Sequence, residues 1–327
     1  MLFLIVVAIV SFFVSLVSGK VLIRKFTEAG LVGFDVHKPG KVKVPEMGGL
    51  AIVSGFVAST IFAVGLNTLA ARGILSINLN LDLISVFATL ATILIVAIIG
   101  LFDDLVKMRQ LTKGILPVFA SVPLIAVAAG HPYMILPFIG EIYLPLLYPL
   151  VLIPLGLTTA SNLSNMYAGF NGMEAGMGLI MCLTAFILAL NLGSVEAALF
   201  MAAMIGALLA FMYYNRHPSK VFPGDVGTLT IGASIACAVI VGNMEIIGLF
   251  LFFPHLIDFI LKAKNGFPKE IDYTSYKNGK LYTKKVVGLP SLVLRLTGGL
   301  KECRLVASLL LFEALLGILT LSLLLRF

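Results

Sequence analysis

Ten stretches of this chain are apolar over about the length that crosses a bilayer: roughly 2–23, 48–70, 83–102, 114–130, 144–160, 173–192, 194–213, 225–242, 244–261 and 303–326. Each reads as a transmembrane helix. Composition agrees, since 60% hydrophobic and 12% charged residues with a mean hydropathy of +1.08 describe a surface that mostly faces lipid. The expected fold is therefore all-α, a polytopic integral membrane protein of about ten helices forming one domain over residues 1–327.

Loop charge orients the helices. The first stretch has no basic segment before its apolar core, and its first cation is Lys20, so it reads as a signal anchor with the N-terminus outside. Placing the loops alternately from there puts every Lys and Arg except Arg72 and Arg326 on one side, the expected cytoplasmic side. Both termini are then outside. The net charge of +7 reports this topology and an anionic membrane surface or substrate, with no warrant for nucleic-acid binding. Cys182 and Cys237 fall inside spans and Cys303 at a helix start, so no disulfide framework is expected.

No internal repeat is visible, and two cytoplasmic loops are long, 24–47 and 262–302. Loops of that length are commonly functional. Within the second, Val286 to Leu300 is apolar yet too short to span, which suits a helix lying in the interface. The segment His131 to Tyr143, with Pro132, Pro137 and Gly140, reads as a short external hairpin.

Polar clusters gather at helix ends on the expected cytoplasmic side. Adjacent carboxylates, Asp103 and Asp104, close the 83–102 run, and ionisable residues there are a functional-site hypothesis by default. They stand about 100° apart on a helix and so should have different jobs. Asn162 and Asn165, at i and i+3, can point into one cavity. Other loops supply Asp35-Val-His-Lys-Pro-Gly, Pro45-Glu46-Met-Gly-Gly, Lys113, Gly169-Phe-Asn171-Gly and Phe222-Pro-Gly-Asp225. Each has a structural reading: asparagines bond helix to helix, and Asp225 caps a helix N-terminus. Together, oxygen ligands, lysines and glycine-rich turns suit Mg²⁺ holding a diphosphate, with Asn165 and Asp225 as donors. No zinc spacing, nucleotide-cradling Gly-x-x-x-x-Gly-Lys-[Ser/Thr] loop or nucleophile elbow is present.

This ordered set resembles the polyprenyl-phosphate N-acetylhexosamine-1-phosphate transferase family, glycosyltransferase family 4, and most of all its eukaryotic and archaeal dolichyl-phosphate branch. The motifs that carry it are Pro45-Glu46 with its glycines, Asp103-Asp104 with Lys113, Asn162-x-x-Asn165 with Gly169-x-Asn171-Gly172, Val221-Phe222-x-Gly224-Asp225 and Lys277-Asn-Gly-Lys280-Leu. The resemblance implies Mg²⁺, with Mn²⁺ as a substitute, on Asn165 and Asp225, and Lys113 on the diphosphate. It implies Phe222 stacked on uracil, with Glu46, Asn162 and Asn171 in the substrate site. Asp103 and Asp104 match the catalytic acidic pair, and their division of roles stays open. The family's Arg-His-Arg or histidine run before the last helix is missing. Lys264 and Lys269 are the cations that loop offers instead, which leaves the hexosamine open.

The implied reaction moves GlcNAc-1-phosphate, or a related HexNAc-1-phosphate, from a UDP-sugar to a polyprenyl or dolichyl phosphate. UMP leaves, as in the first step of lipid-linked oligosaccharide synthesis for protein N-glycosylation. The expected partners are the UDP-sugar, the lipid phosphate and the bilayer, with a homodimer left open and the active site on the cytoplasmic face. The competing readings are a cell-wall precursor transferase of the same family and a secondary transporter. A transporter site usually lies near the midplane between repeated halves.

Overall fold

The computed structural model describes residues 1–38, 42–75, 79–136, 140–268 and 273–324, and each of the ten apolar stretches carries helix. Among the described residues seven helices are long and apolar enough to cross a membrane: α1 (Leu2–Glu28), α2 (Gly49–Ala71), α3 (Leu83–Val106), α7 (Met173–Asn191), α8 (Val195–Asn215), α9 (Gly224–Val241) and α13 (Glu302–Leu324). The other three stretches are interrupted. α4 (Gln110–Ala120) stops at Ser121 before α5 (Val122–Ala126), and a π-helical turn over Tyr148–Leu152 leads into α6 (Ile153–Met166). α10 (Glu245–Leu251) and α11 (Phe253–Lys264) meet at a 56° bend. Pro123, Pro149, Pro154 and Pro254 sit at these breaks, where a missing N–H and a fixed φ interrupt the helical ladder. By length and composition, the described residues hold seven unbroken candidate spans, or eight if the bent pair is one, and the polytopic all-α architecture is as expected.

Small residues bring the helices together. Lipid tails are as apolar as leucine, so association depends on close backbone approach and on hydrogen bonds between helices. Ser11 and Ser15 of α1 donate to the carbonyls of Ala203 and Ala207 on α8, at 2.5 and 3.1 Å. α8 and α9 form the centre, with 78% and 83% of their apolar windows buried, whereas α1 and α13 bury 28% and 33% and lie at the periphery of the bundle.

Both long loops contain order that was expected only as loop. β1 (Val32–Asp35) pairs antiparallel with β2 (Val42–Pro45), and β5 (Thr274–Lys277) pairs with β6 (Lys280–Thr283). Asn278 and Gly279 join the latter pair, both at positive φ, the geometry of a tight hairpin turn. The apolar segment expected in the interface carries α12 (Leu289–Thr297), whose Leu289 and Leu294 share a buried cluster with Leu305 and Tyr167. β3 (Tyr133–Leu136) and β4 (Gly140–Tyr143) form the short hairpin expected over 131–143; Pro137 lies outside the described residues.

The hairpins β1–β2 and β5–β6, the C-termini of α1, α3, α6, α8 and α11 and the N-termini of α2, α4, α7, α9 and α13 share one end of the bundle, the site end. The N-terminus of α1 and the C-terminus of α13 lie at the far end.

Candidate active site

At the site end the chain encloses a cleft of about 290 Å³, lined by residues 34–37, Glu46, Asn165, residues 168–171, Glu174, Asn215, residues 222–225 and Thr228. Its floor is the first turn of α9. The Lys113 ammonium lies between two carboxylates, 2.5 Å from Asp103 Oδ2 and 2.5 Å from Asp225 Oδ2. Asp103 and Lys113 are buried, so each charge depends on the others for compensation. The backbone N–H of Met108 also donates to Asp103 Oδ1 at 2.7 Å, fixing that carboxylate at the turn between α3 and α4.

Asp104 faces another way. Its two oxygens accept the backbone N–H groups of Asp225 and Val226 at 2.8 and 3.0 Å, so a carboxylate from α3 caps the N-terminus of α9. Asp225 is therefore not the cap that its place after Pro-Gly suggested; it is held by one. Gly224 makes this possible in two ways. Its φ is +66°, and a Cβ there would lie 2.6 Å from Asp104 Oδ2.

Asn165 ends α6, and its Oδ1 accepts the Thr228 hydroxyl at 2.9 Å. Thr228 lies one turn beyond Asp225, so Asn165 and Asp225 present two oxygen donors to the cleft from adjoining helix ends. Asn162 does not join them. Its Nδ2 donates to the carbonyls of Gly114 and Thr158, at 3.1 and 2.8 Å, which ties α6 to α4 away from the cleft lining. That is the helix-to-helix bond often made by a buried amide.

Phe222 and Glu46 are neighbours because their loops are laced together. Phe222 N–H donates to Pro45 O at 2.8 Å, Gly48 N–H to Phe222 O at 2.9 Å and Gly49 N–H to Pro223 O at 2.8 Å. Asn215 Nδ2 donates to Val221 O at 2.9 Å and shapes the approach to that turn. Lys264 is exposed at the end of α11 and is absent from the cleft lining, and Lys269 lies outside the described residues. The buried cation of that helix is Lys262, bound to Asp258 Oδ2 at 2.8 Å and Met166 O at 2.5 Å.

Asp35, known from the sequence only as part of a polar loop cluster, and Thr228 both line the cleft, and Glu302 is tied to it by accepting the Asn171 backbone N–H at 2.8 Å. Thr228 had a signal, since it follows Asp225 by three residues on the same helix face. Asp35 is buried, which by itself raises a carboxyl pKa. Hydrogen bonds from Lys38 and Asn171, the Lys38 charge and the His37 backbone N–H outweigh that and hold it below the usual carboxylate value.

A second cavity, about 380 Å³ and almost wholly apolar, runs along α6 between α9 and the bent pair α10–α11. Its lining passes from Tyr148 and Glu245, joined by a Tyr148 hydroxyl donation to the Glu245 carboxylate, as far as Leu163 on α6. Leu163 precedes Asn165 by two residues, about 3 Å along a helix axis. The groove and the charge-lined cleft thus both draw on the last turns of α6, Leu163 lining the one and Asn165 the other.

Comparison with known proteins bears on this arrangement. A protein of Saccharolobus solfataricus, provisionally named a UDP-N-acetylglucosamine–dolichyl-phosphate N-acetylglucosaminephosphotransferase, is 34% identical over 314 residues, 95% of this chain and 93% of the relative. The model of glycosyl transferase family 4 matches residues 86–243. The chain belongs to glycosyl transferase family 4. A Sulfolobus acidocaldarius protein of the same provisional name is 37% identical over 261 residues, covering 79% of this chain and 77% of the relative. A Bacillus subtilis protein, provisionally an undecaprenyl-phosphate N-acetylglucosaminyl 1-phosphate transferase, is 29% identical over 250 residues, 74% of this chain and 65% of its own. The family match includes Asp103, Asp104, Lys113, Asn165, Asn171, Phe222 and Asp225 and excludes Asp35 and Glu46, which line the cleft from outside it.

Lys113→Met leaves Asp103 and Asp225 facing one another without a cation. Sugar-phosphate transfer should fall by about 10²-fold or more, as when one charge-stabilising donor is removed from a preorganised site. Initial rates measured beside wild type check this, and a rate within a few-fold of wild type would take Lys113 out of the reaction.

Proposed function

We propose that this protein transfers N-acetylglucosamine 1-phosphate from UDP-N-acetylglucosamine to a polyprenyl or dolichyl phosphate, with its site end on the cytoplasmic face of the membrane. The observation that carries the reading is the presence together of an apolar groove along α6, which suits an isoprenoid chain, and a cleft lined by carboxylates and the Phe222 ring, whose Asp225 holds the Lys113 ammonium. The names given to the archaeal and bacterial relatives supply the two substrates, and the concentration of Lys and Arg on one side supports the orientation.

An oxygen of the lipid phosphate forms a bond to the β-phosphorus of the sugar nucleotide, and the bond from that phosphorus to the bridging oxygen breaks. UMP departs with the bridging oxygen and the electron pair. The second proton of a phosphate monoester titrates near pH ~6, so at neutral pH the nucleophile needs orientation more than deprotonation. In this reading Asp103, 2.5 Å from the Lys113 ammonium, orients that lysine toward the phosphates. Asp104 acts one step back, fixing the first turn of α9 so that Asp225 keeps its position.

The donor set fits Mg²⁺. Among the described residues no cluster of three or more His, Cys, Asp or Glu could hold a metal ion, and this cation typically takes one or two protein oxygens and completes its octahedron with phosphate oxygens and water. Asp225 and Asn165 are those oxygens in this reading. When bound, Mg²⁺ supplies neutralisation of charge on the diphosphate.

In this reading Phe222, which lines the cleft, is the stacking face for the base. Phe222→Ala should weaken UMP binding by about 1–3 kcal/mol, the usual worth of a base on an aromatic ring. Unchanged inhibition by UMP would make that assignment wrong.

The test of the function is a partition assay with purified protein, Mg²⁺, a polyprenyl phosphate and UDP-N-acetylglucosamine labelled in the sugar. Label should enter the organic phase, with stoichiometric UMP, only when lipid phosphate and Mg²⁺ are both present. No transfer from this or any other UDP-sugar would overturn the reading.

A further inference from the structure

The Asn171 side chain is 5% exposed, and its amide is held from one side. Nδ2 donates to Asp35 Oδ2 at 3.0 Å, while the backbone N–H of Asn171 donates to Glu302 Oε1 at 2.8 Å. An ionised carboxylate only accepts hydrogen bonds, so Asp35 fixes which end of the amide is nitrogen. Oδ1 is then turned away from Asp35. Among the described residues no donor reaches it, yet it is not sealed from solvent, and Asn171 lines the cleft.

Asp35 is itself held firmly. Lys38 Nζ lies 2.6 Å from its Oδ2, and the backbone N–H of His37 donates to its Oδ1 at 3.2 Å. The His37 ring stacks on Phe170, the residue before Asn171, with centroids 4.5 Å apart and planes 11° from parallel. The turn after β1 and the turn between α6 and α7 are thereby locked together across 136 residues of sequence.

We propose that Asp35 is a positioning residue which keeps the Asn171 carbonyl toward the cleft, so that the site takes a base presenting an N–H donor at that edge, uracil, and turns away cytosine, which presents an acceptor there. The inference rests on the UDP-sugar reading above and adds to it the device that selects the base. An amide bonded to nothing can flip and serve either base equally; one bonded to a carboxylate cannot. Two acceptors brought face to face leave one buried polar group unpaired, so the discrimination comes from rejection as much as from attraction.

The test is binding of UMP, CMP and 3-methyl-UMP to the purified full-length protein, with Asp35→Asn and the exchanged pair Asp35→Asn with Asn171→Asp. Wild type should prefer UMP to both other ligands by about tenfold or more, the worth of one hydrogen bond made or left unmade. In Asp35→Asn the ratio of UMP to CMP affinity should fall toward one, because the substitute can offer N–H and let the Asn171 amide turn over. The exchanged pair should restore the preference, since a carboxylate at 171 presents an acceptor in either orientation. Equal loss of UMP and CMP in Asp35→Asn, with their ratio kept, would overturn the proposal and leave Asp35 a merely structural tie. If that variant does not fold, wild type alone decides: equal binding of UMP and 3-methyl-UMP overturns it. Absence of UMP binding by wild type would instead remove the nucleotide reading on which it stands.

Discussion

Replacing Asp225 with Asn should lower sugar-phosphate transfer by about 10³-fold or more while the protein still folds into its bundle. The substitution keeps the shape of the side chain and an oxygen for Lys113, and removes only the negative charge. Because Asp104 holds α9 through the backbone N–H groups of Asp225 and Val226, the helix start does not depend on the side chain at 225. Structure and chemistry are thus separable at this position. Rates measured over a range of Mg²⁺ concentrations, beside the elution profile in detergent, check both halves. A variant within tenfold of wild type at ordinary Mg²⁺ would take Asp225 out of the metal site.

Gly100→Val should damage both folding and activity. A Cβ at position 100 would lie 2.6 Å from Asp225 O and from Val226 Cα, backbone atoms that cannot turn aside. α3 would have to move off α9, and Asp104, one turn further along α3, would lose its reach to the N–H groups it caps. Overpacking of this kind costs about 1–3 kcal/mol. A shift of about 1 Å at a reacting centre costs about 10² in rate, so transfer should fall at least that far even in protein that remains folded. Thermal unfolding in detergent and initial rates of the folded fraction read the two effects separately. Wild-type rates in this variant would mean that the α3–α9 contact does not set the site.

Much of this was legible in the chain because the deciding interactions are local. The helices follow from apolar runs, and their interruptions follow from Pro123, Pro154 and Pro254. The turn between β5 and β6 follows from Asn278-Gly279, although the long loop around it masked the signal. Asp103 and Asp104 diverge as the helical offset of neighbours requires. Partnership across distance was not legible. Nothing near Asp104 indicates that it caps a helix beginning at Gly224, and nothing near Asn162 indicates that its amide is taken by Gly114. Asp35 and Asn171 meet only once the bundle has formed. Lys264 attracted notice as a charge in the right loop, but helix phase turns it outward and leaves Lys262 buried instead.

The apolar groove along α6 has one flank unfinished: Leu155 and Leu249, which line it, are 58% and 70% exposed. It is thus open sideways, on the flank of the bundle, while the cleft beside Asp225 lies at the site end. In the proposed reaction the lipid phosphate would come from the flank of the bundle and the sugar nucleotide from its end. Neither stands in the other's path. A glycolipid formed there can slide away along the bilayer while the spent nucleotide leaves by the opposite route, so the long hydrocarbon tail never has to be lifted through water to clear the site for another turnover.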